Sequence, residues 1–412
     1  MASPSPRRVL VLGASGLIGS AICREALRHP SLHCLPASRE VRAGFITIPY
    51  ASLTKPEHWV ALLQEHRIES VVNCIGIWKG SKATFERIQY DVPTALGLAC
   101  ARLDLHLVHI SALGFKKSSP LPYVSTKPRA DRFIYDNVPG STIIYPSLVF
   151  GPAGQSTRFF MQLAALPIHA DMGYPKNLQP VHVDDVACAV VSSLSGKTRD
   201  RHIECAGRNR IDVSEYLSHL RDGLGLGRPS LTISLPKSIT RAMFTIGDKL
   251  GSQFVNKQTF ALLADGTASA EDFPKARPYE NYACRADMAQ VNNSRLRLAT
   301  RLGMGTLWLG TAIGTWWFWP REDALNLLGQ MHPALANTTS LTASCLLDAS
   351  MGIASFLFPS KRLWKAQFWL TFGYAVGLIY ATPLGLAHPL GLLLKNLCVL
   401  SAQAYLALTE QD

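Results

Sequence analysis

The run Val9-Leu10-Val11-Leu12-Gly13-Ala14-Ser15-Gly16-Leu17-Ile18-Gly19 limits what this chain can fold into more than any other stretch. Val9 to Leu12 are apolar and half of them β-branched, so they read as a buried strand that Gly13 ends in a tight turn. Gly16 lets a bound group approach the backbone where a Cβ would otherwise stand. Gly19 falls where a new helix must pack against the strand, and Leu17, Ile18, Ala21 and Ile22 give that helix its apolar face. The free N–H groups at the helix start, with the helix dipole, favour a pyrophosphate. The spacing is GxxGxxG rather than GxGxxG, so the glycines take their meaning from the strands and helices downstream.

Those elements alternate. Leu32 to Ser38, Phe45 to Ile48, Ser70 to Gly76 and Leu105 to Ser111 read as strands. Pro56 to Glu65 and Thr84 to Ala101 read as helices, the second interrupted near Pro93. The alternation predicts an α/β fold with a doubly wound parallel sheet, a Rossmann domain. At the end of the second strand, where such a sheet reads the adenosine ribose, stand Ser38-Arg39-Glu40. A hydroxyl followed by a guanidinium suits a 2′-phosphate and hence NADP(H). If Arg39 is instead a solvated loop charge, Glu40 reads a free 2′-hydroxyl and the cofactor is NAD(H). Asn73-Cys74-Ile75-Gly76 permits close approach of backbone to a cofactor at a strand's carboxyl end. His106 and His109 lie three apart on a strand, face opposite sides and cannot chelate one ion, so both are read as structural.

Ser111 ends a strand, and Tyr123-Val124-Ser125-Thr126-Lys127 lies a short way beyond it. On a helix Tyr123 and Lys127 share a face one turn apart. The ammonium would favour phenolate and make Tyr123 a usable acid/base near neutral pH, and Ser111 could bind a substrate oxygen as charge develops on it. Pro128 works against helical backbone at Lys127.

Together these residues resemble the short-chain dehydrogenase/reductase superfamily. Tyr145-Pro146-Ser147-Leu148-Val149-Phe150-Gly151-Pro152 is similar to the RPSxVfGp segment of its extended and atypical, epimerase/dehydratase-like branches. Gln179-Pro180-Val181-His182-Val183-Asp184-Asp185-Val186-Ala187 is similar to their pVhVdDvA segment, and the likeness covers residues 7–290. It implies Ser111, Tyr123 and Lys127 as the catalytic set, with Lys127 also holding the nicotinamide ribose. Gly13, Ser15, Gly16, Leu17, Ile18, Gly19, Ser38, Arg39, Asn73, Cys74, Ile75, Gly76, Pro146, Ser147 and Leu148 are the implied cofactor contacts. Tyr50-Ala51-Ser52 stands where relatives often place an acidic residue, and Tyr145 replaces their usual Arg. The domain also resembles the nucleotide-binding accessory subunit of respiratory complex I, in which the cofactor is structural.

Residues 151–290 read as a smaller substrate lobe. Gly151 to Thr157 is a loop able to line a cleft, and Asp184-Asp185 reads as an acidic N-cap on an apolar helix, with no metal role. Leu235 to Gly251 and Gln258 to Ala264 read as helices of a mobile or membrane-facing lobe.

At 412 residues the chain is too long for one ordinary core. Its mean hydropathy of +0.11 is slightly high for a purely soluble protein. The apolar excess sits after residue 301, where Leu302 to Trp319, His332 to Phe358, Ala366 to His388 and Pro389 to Leu408 carry almost no charge. These runs read as four membrane spans. The net charge of +12 suits an anionic lipid surface, and the absence of basic runs interleaved with aromatics argues against a nucleic-acid partner. Nine scattered cysteines with no CxxC pair read as reduced thiols, not a disulfide frame or zinc site. Arg7 and Arg8 run straight into the first strand, so no signal peptide is expected. Arg295, Arg297 and Arg301 before the first run, and Lys361, Arg362 and Lys365 between the second and third, put both termini in the cytoplasm. Asp348 and Lys395 are costly in hydrocarbon and are expected to pair.

His388-Pro389-Leu390-Gly391-Leu392-Leu393-Leu394-Lys395-Asn396 resembles the HPxGxxxKN signature of the DoxX-like membrane domain, a likeness covering residues 297–408. It implies anchoring in a bacterial inner membrane and little chemistry. The leading expectation is a membrane-anchored NADP(H)-dependent reductase acting on an apolar carbonyl or alcohol. The alternative is a non-catalytic nucleotide-binding module of a membrane complex, with a membrane-protein partner.

Overall fold

The computed structural model describes residues 5–77, 80–115, 122–171, 177–197, 200–227, 231–249, 252, 255–256, 259, 266–269, 273, 276–381 and 392–410. The chain separates into two compact units, residues 1–289 and 290–412.

The first unit begins with β1 (Arg7–Leu12), α1 (Leu17–Ala26), β2 (Leu32–Ser38), β3 (Ile46–Thr47), α2 (Pro56–Glu65) and β4 (Ser70–Asn73). It continues with α3 (Lys82–Glu86), α4 (Val92–Arg102), β5 (His106–Ile110), α5 (Pro122–Asn137) and β6 (Ser141–Pro146). Next come β7 (Val149–Phe150), α6 (Gln155–Ala164), β8 (Ile168–Asp171), β9 (Val181–His182), α7 (Val183–Leu194) and β10 (His202–Cys205). The main sheet runs β10-β6-β5-β4-β1-β2-β3, and every pairing in it is parallel. This is the expected doubly wound, Rossmann-like α/β sheet.

Both faces of β1 are buried, as a parallel sheet requires. Leu10 and Leu12 pack with Trp59 and Leu96 on one side, while Val9 and Val11 pack with Ile22, Val186 and Val190 on the other. The chain leaves β1 in one direction toward β2 and returns on the other side as β4, so a crevice opens at the carboxyl ends of those two strands.

Three local readings are refined by the structure. The break near Pro93 is a π turn over Arg87–Asp91, with the Val92 N–H reaching back to the Arg87 carbonyl, so α3 and α4 form one continuous rod. Pro128 does not end α5: the helix passes through it, held by the buried side chains of Val124, Ala130 and Ile134. Packing here overrides the local preference of the residue before proline. The N-cap of α7 is His182, whose Nδ1 accepts from the Asp184 N–H at 3.2 Å, and not an aspartate. Asp184 and Asp185 occupy the first turn instead and grip Arg277 through contacts of 3.0 Å each.

The smaller lobe adds α8 (Val213–Gly223), β11 (Leu231–Ser234), which pairs with β8, and α9 (Lys237–Lys249). The helix read over Leu235 to Gly251 is α9. Apart from Thr259, the segment Gln258 to Ala264 lies outside the described residues.

In the second unit, a helix that begins at Met288 runs to Ile313, and beyond it lie helices Arg321–Met331, Thr338–Leu357, Lys361–Ala381 and Leu392–Thr409. Among the described residues one of them, Thr338–Leu357, is long and apolar enough to cross a membrane. The first helix carries Arg295 and Arg297 in its N-terminal half and Arg301 near its middle, the fourth has Lys361, Arg362 and Lys365 at its start, and residues 382–391 lie outside the described residues. Polarity in this unit is turned inward. Gln367 and Gln403 are fully buried, Gln367 accepts from Trp308 Nε1 at 3.0 Å and donates to Ser355 Oγ at 2.8 Å, and Gln403 donates to Thr371 Oγ1 at 2.9 Å. Trp317, Phe358, Trp369 and Leu408 face outward, each at least 65% exposed. Asp348 accepts from Tyr374 Oη at 3.2 Å, and the Lys395 side chain expected to pair with it lies outside the described residues.

Candidate active site

Gly13 takes a φ of +76°, a left-handed conformation that only glycine adopts without strain, and so turns the chain out of β1. The Gly16 N–H donates to the Gly13 carbonyl at 2.9 Å, and Gly16 sits at the N-cap of α1 without a side-chain cap. A Cβ on Gly19 would lie 2.4 Å from the Gly13 carbonyl oxygen. The absence of a side chain there lets α1 close on the turn with its first amides aimed along the crevice, an arrangement suited to phosphate.

Two cavities share Gly13, Gly16, Cys74, Gly76 and Ile77 and together make one cleft along the crevice. The outer part, about 210 Å³, is lined by Ser15, Ser38, Arg39, Tyr50 and Ile75. The Ser38 hydroxyl donates to the Glu40 carbonyl, and the exposed Glu40 carboxylate pairs with Arg42 at 3.2 Å. Arg39 thus lines the outer cavity while the Glu40 carboxylate is engaged by Arg42. Burial pushes the Tyr50 phenol up to about 12, with the Arg39 guanidinium pulling the other way.

The inner part, about 360 Å³, is lined by Leu17, Ile18, Gly19, Ser111, Lys127, Pro146, Ser147 and Leu148 among the expected residues. Ser147 Oγ donates to the Thr267 carbonyl at 2.7 Å and holds a loop of the smaller lobe against the cleft. Lys127 is buried and its Nζ donates to the Ile110 carbonyl at 2.7 Å. Burial lowers its pKa, opposed by Asp131 and Cys74. Tyr123 lies in α5 one turn before Lys127, and its side chain lies outside the described residues. Asn73 behaves differently from its neighbours, because its side chain turns into the protein. Its Oδ1 accepts from the Ile75 N–H at 3.2 Å and its amide nitrogen sits 3.1 Å from His109 Nδ1.

Beneath the cleft a chain of buried polar groups joins β4, β5 and α5. Asn73 meets His109, His109 Nε2 stands 3.5 Å from Asp131 Oδ1, and Asp131 Oδ2 accepts from Ser111 Oγ at 2.5 Å. Burial raises the Asp131 carboxyl to about 6, against the Ser111 hydrogen bond and Lys127. Burial first, and Lys127 second, lowers His109 to about 3, so it is neutral at physiological pH. Sequence reasoning missed Asp131, although it lies four residues after Lys127 on the same helical face. It also missed Gln89, which lines the inner cavity, accepts from Thr126 Oγ1 at 2.7 Å and sits on the π turn. Among the described residues no cluster of three metal-ligating side chains occurs, and all nine cysteines are free thiols.

Comparison with known proteins divides the chain in the same way. Residues 9–114 match the model of the NAD dependent epimerase/dehydratase family, and residues 305–404 match that of the DoxX-like family. A curated relative, NADH dehydrogenase (ubiquinone) 1 alpha subcomplex subunit 9 of Arabidopsis thaliana mitochondria, is 25% identical over 201 residues. That match covers 47% of this chain and 48% of the relative, so the chain spans about half the length of the relative it matches. Among solved structures, the UDP-N-acetylglucosamine 4-epimerase of Bacillus cereus is 15% identical over 56% of this chain and 87% of its own, with a TM-score of 0.47. The dTDP-4-dehydrorhamnose reductase of Bacillus anthracis, solved with NADP, is 15% identical over 57% of this chain and 86% of its own, with a TM-score of 0.47. The chain joins an NAD dependent epimerase/dehydratase segment at residues 9–114 to a DoxX-like segment at residues 305–404.

Proposed function

We propose that residues 1–290 form an NADP(H)-dependent oxidoreductase of the short-chain reductase type, and that residues 297–408 anchor it in a bacterial inner membrane. The observation that carries this reading is the single cleft at the strand crossover, with Arg39 at one end and Ser111 and Lys127 at the other. The glycine cradle fits a dinucleotide: a Cβ at Gly13, Gly16 or Gly19 would crowd the backbone of the turn or of Cys74, so glycine alone lets α1 close on the turn with an uncapped N-terminus beside the cleft. A nicotinamide dinucleotide held there would supply or accept hydride. Tyr123 would give or take the proton at the substrate oxygen. Lys127, a buried ammonium one turn along α5, would favour the phenolate and hold the nicotinamide ribose. Ser111, freed from Asp131, would donate to the substrate oxygen. The substrate is an apolar carbonyl or alcohol drawn from the bilayer.

The outward apolar face and inward polar side chains of the second unit support a membrane setting, in which a polar interior is shielded from lipid. Four spans with both termini cytoplasmic satisfy the placement of Lys and Arg. Labelling of exposed Cys284 with an impermeant maleimide tests the topology; reaction from the periplasmic side refutes it.

The second reading, a non-catalytic dinucleotide-binding module of a membrane complex, is favoured by one observation: the Ser111 hydroxyl already donates to the buried Asp131. Calorimetry with NADPH and NADH tests binding, and Tyr123→Phe separates the readings. The enzyme loses turnover with cofactor affinity unchanged; unaltered turnover removes Tyr123 from the chemistry.

A further inference from the structure

In the second unit, the helices Met288–Ile313 and Thr338–Leu357 run antiparallel, with Gly305 against Phe356 and Leu309 against Gly352. A Cβ on Gly352 would lie 2.9 Å from the Leu309 backbone nitrogen, so the two backbones touch there. One turn further on, the contact opens. Ala312 on one helix and Thr342, Cys345 and Ala349 on the other are too small to meet, and they leave an apolar groove of about 210 Å³. The groove extends from Leu309 to Trp316, about 10 Å of helix. At its wide end the first helix loosens into the π turn Gly314–Phe318, and both Trp316 and Trp317 line the groove there. The Arg321 guanidinium lies over the Trp316 ring, 5.9 Å from its centroid. Arg321 is exposed, and so are Glu322 and Asp323, which follow it in the first turn of the next helix.

We propose that this groove holds one phospholipid whose headgroup ends in a primary ammonium. One acyl chain lies between the two helices, the phosphate meets Arg321, and the ammonium meets Glu322 and Asp323. The proposal rests on the membrane-anchored reading of residues 297–408. On that reading the tryptophans stand at headgroup level, and the groove descends from them among the acyl chains. Its chemistry changes along its length in the order of a lipid: apolar walls first, then a cation, then carboxylates. Arg321 alone would suit any phosphate. The two carboxylates make the local charge negative, which disfavours a headgroup that is only anionic and favours one that brings its own cation.

The test places the full chain in lipid nanodiscs that contain a fixed trace of phosphatidylethanolamine with a diazirine midway along one acyl chain. Cross-linked residues are mapped by mass spectrometry, and Trp369, 65% exposed on another helix, reports bulk lipid. Changing the surrounding lipid from phosphatidylcholine or phosphatidylglycerol to phosphatidylethanolamine lowers labelling at Ala312 and Cys345 about tenfold, the worth of one charge-assisted hydrogen bond. Labelling at Trp369 stays the same. Phosphatidylcholine does not compete because its ammonium has no N–H to donate, and phosphatidylglycerol because it has no ammonium. Arg321→Gln makes the three lipids equivalent. Equal labelling of the groove in all three lipids overturns the proposal, and that comparison needs no variant. So does a groove left unlabelled while Trp369 is labelled, as a helix from a second copy lying in it would leave it. Labelling at neither place overturns the membrane anchor and this site with it.

Discussion

Replacing Gly19 with alanine adds one methyl group at the closest approach of α1 to the glycine turn. That methyl would lie 2.4 Å from the Gly13 carbonyl oxygen and 2.8 Å from Ala14 Cα, both backbone atoms. Ordinary contact begins near 3.4 Å, so the helix must retreat by about 1 Å or the turn must open. Alanine would otherwise gain about 1 kcal/mol in helix propensity over glycine. Overpacking of this kind costs ~1–3 kcal/mol, and because both obstacles are backbone the steric effect wins. Each kcal/mol lowers Tm by about 2–4 °C in a domain of this size. The retreat also carries the first amides of α1 away from the phosphates, so dinucleotide affinity falls by at least about tenfold, the worth of one charge-assisted hydrogen bond. Thermal unfolding and titration calorimetry with NADPH measure the two effects on one preparation. Gly44→Ala is the control: Gly44 also has a positive φ, +76°, but nothing lies within 4 Å of its added methyl, so it lowers Tm and leaves affinity alone. A Gly19→Ala protein with unchanged Tm and unchanged Kd refutes the reasoning.

Arg39→Ala weakens NADPH far more than NADH in the same calorimetric titration; an equal loss transfers recognition of the ribose to another group. Asp131→Asn gains stability relative to the parent as pH rises from 4 to 8. Folding raises the Asp131 carboxyl to about 6, so the stability linked to its neutral form is present below its ordinary value and is lost as pH passes through 6. Asparagine keeps the neutral shape throughout, so the gap between the two urea unfolding curves widens by roughly 2–3 kcal/mol across that window. A gap that does not vary with pH removes the buried carboxylate as its source. The same substitution weakens the hold on the Ser111 hydroxyl, an amide oxygen being a poorer acceptor than a carboxylate, and an increase in turnover would mark Asp131 as its restraint.

The sheet is legible in the sequence because its signals are local. Val9 to Leu12 alternate between the two cores, and Gly13 and Gly19 fix the turn whatever lies elsewhere in the chain. Most of the expected cofactor contacts line the cleft for the same reason: they sit at strand ends, where the topology alone brings them together. Asn73 is the exception, since whether a strand-end side chain faces the cleft or the interior depends on a partner, His109, from another strand. Asp131 is hidden because its role requires α5 to run through Pro128, and only packing from Val124, Ala130 and Ile134 makes it do so. The cap of α7 reads as an aspartate from sequence because an imidazole accepting through Nδ1 depends on its ring orientation, which sequence does not encode. In the second unit the apolar runs are visible but their helix ends are not. Charged residues read as flanks, yet Arg301 lies inside a helix and Lys361 begins one.

The seventh strand of the main sheet, β10, arrives in the chain long after β6, the strand it pairs with. During synthesis β6 therefore waits with one row of amides and carbonyls unmatched, carrying Ile143 and Ile144, until residue 205 has emerged. Any shortened version cut before His202 would keep that row permanently open and invite a second molecule to complete it. Truncation for biochemical work should therefore retain Cys205, the last residue of the pairing strand.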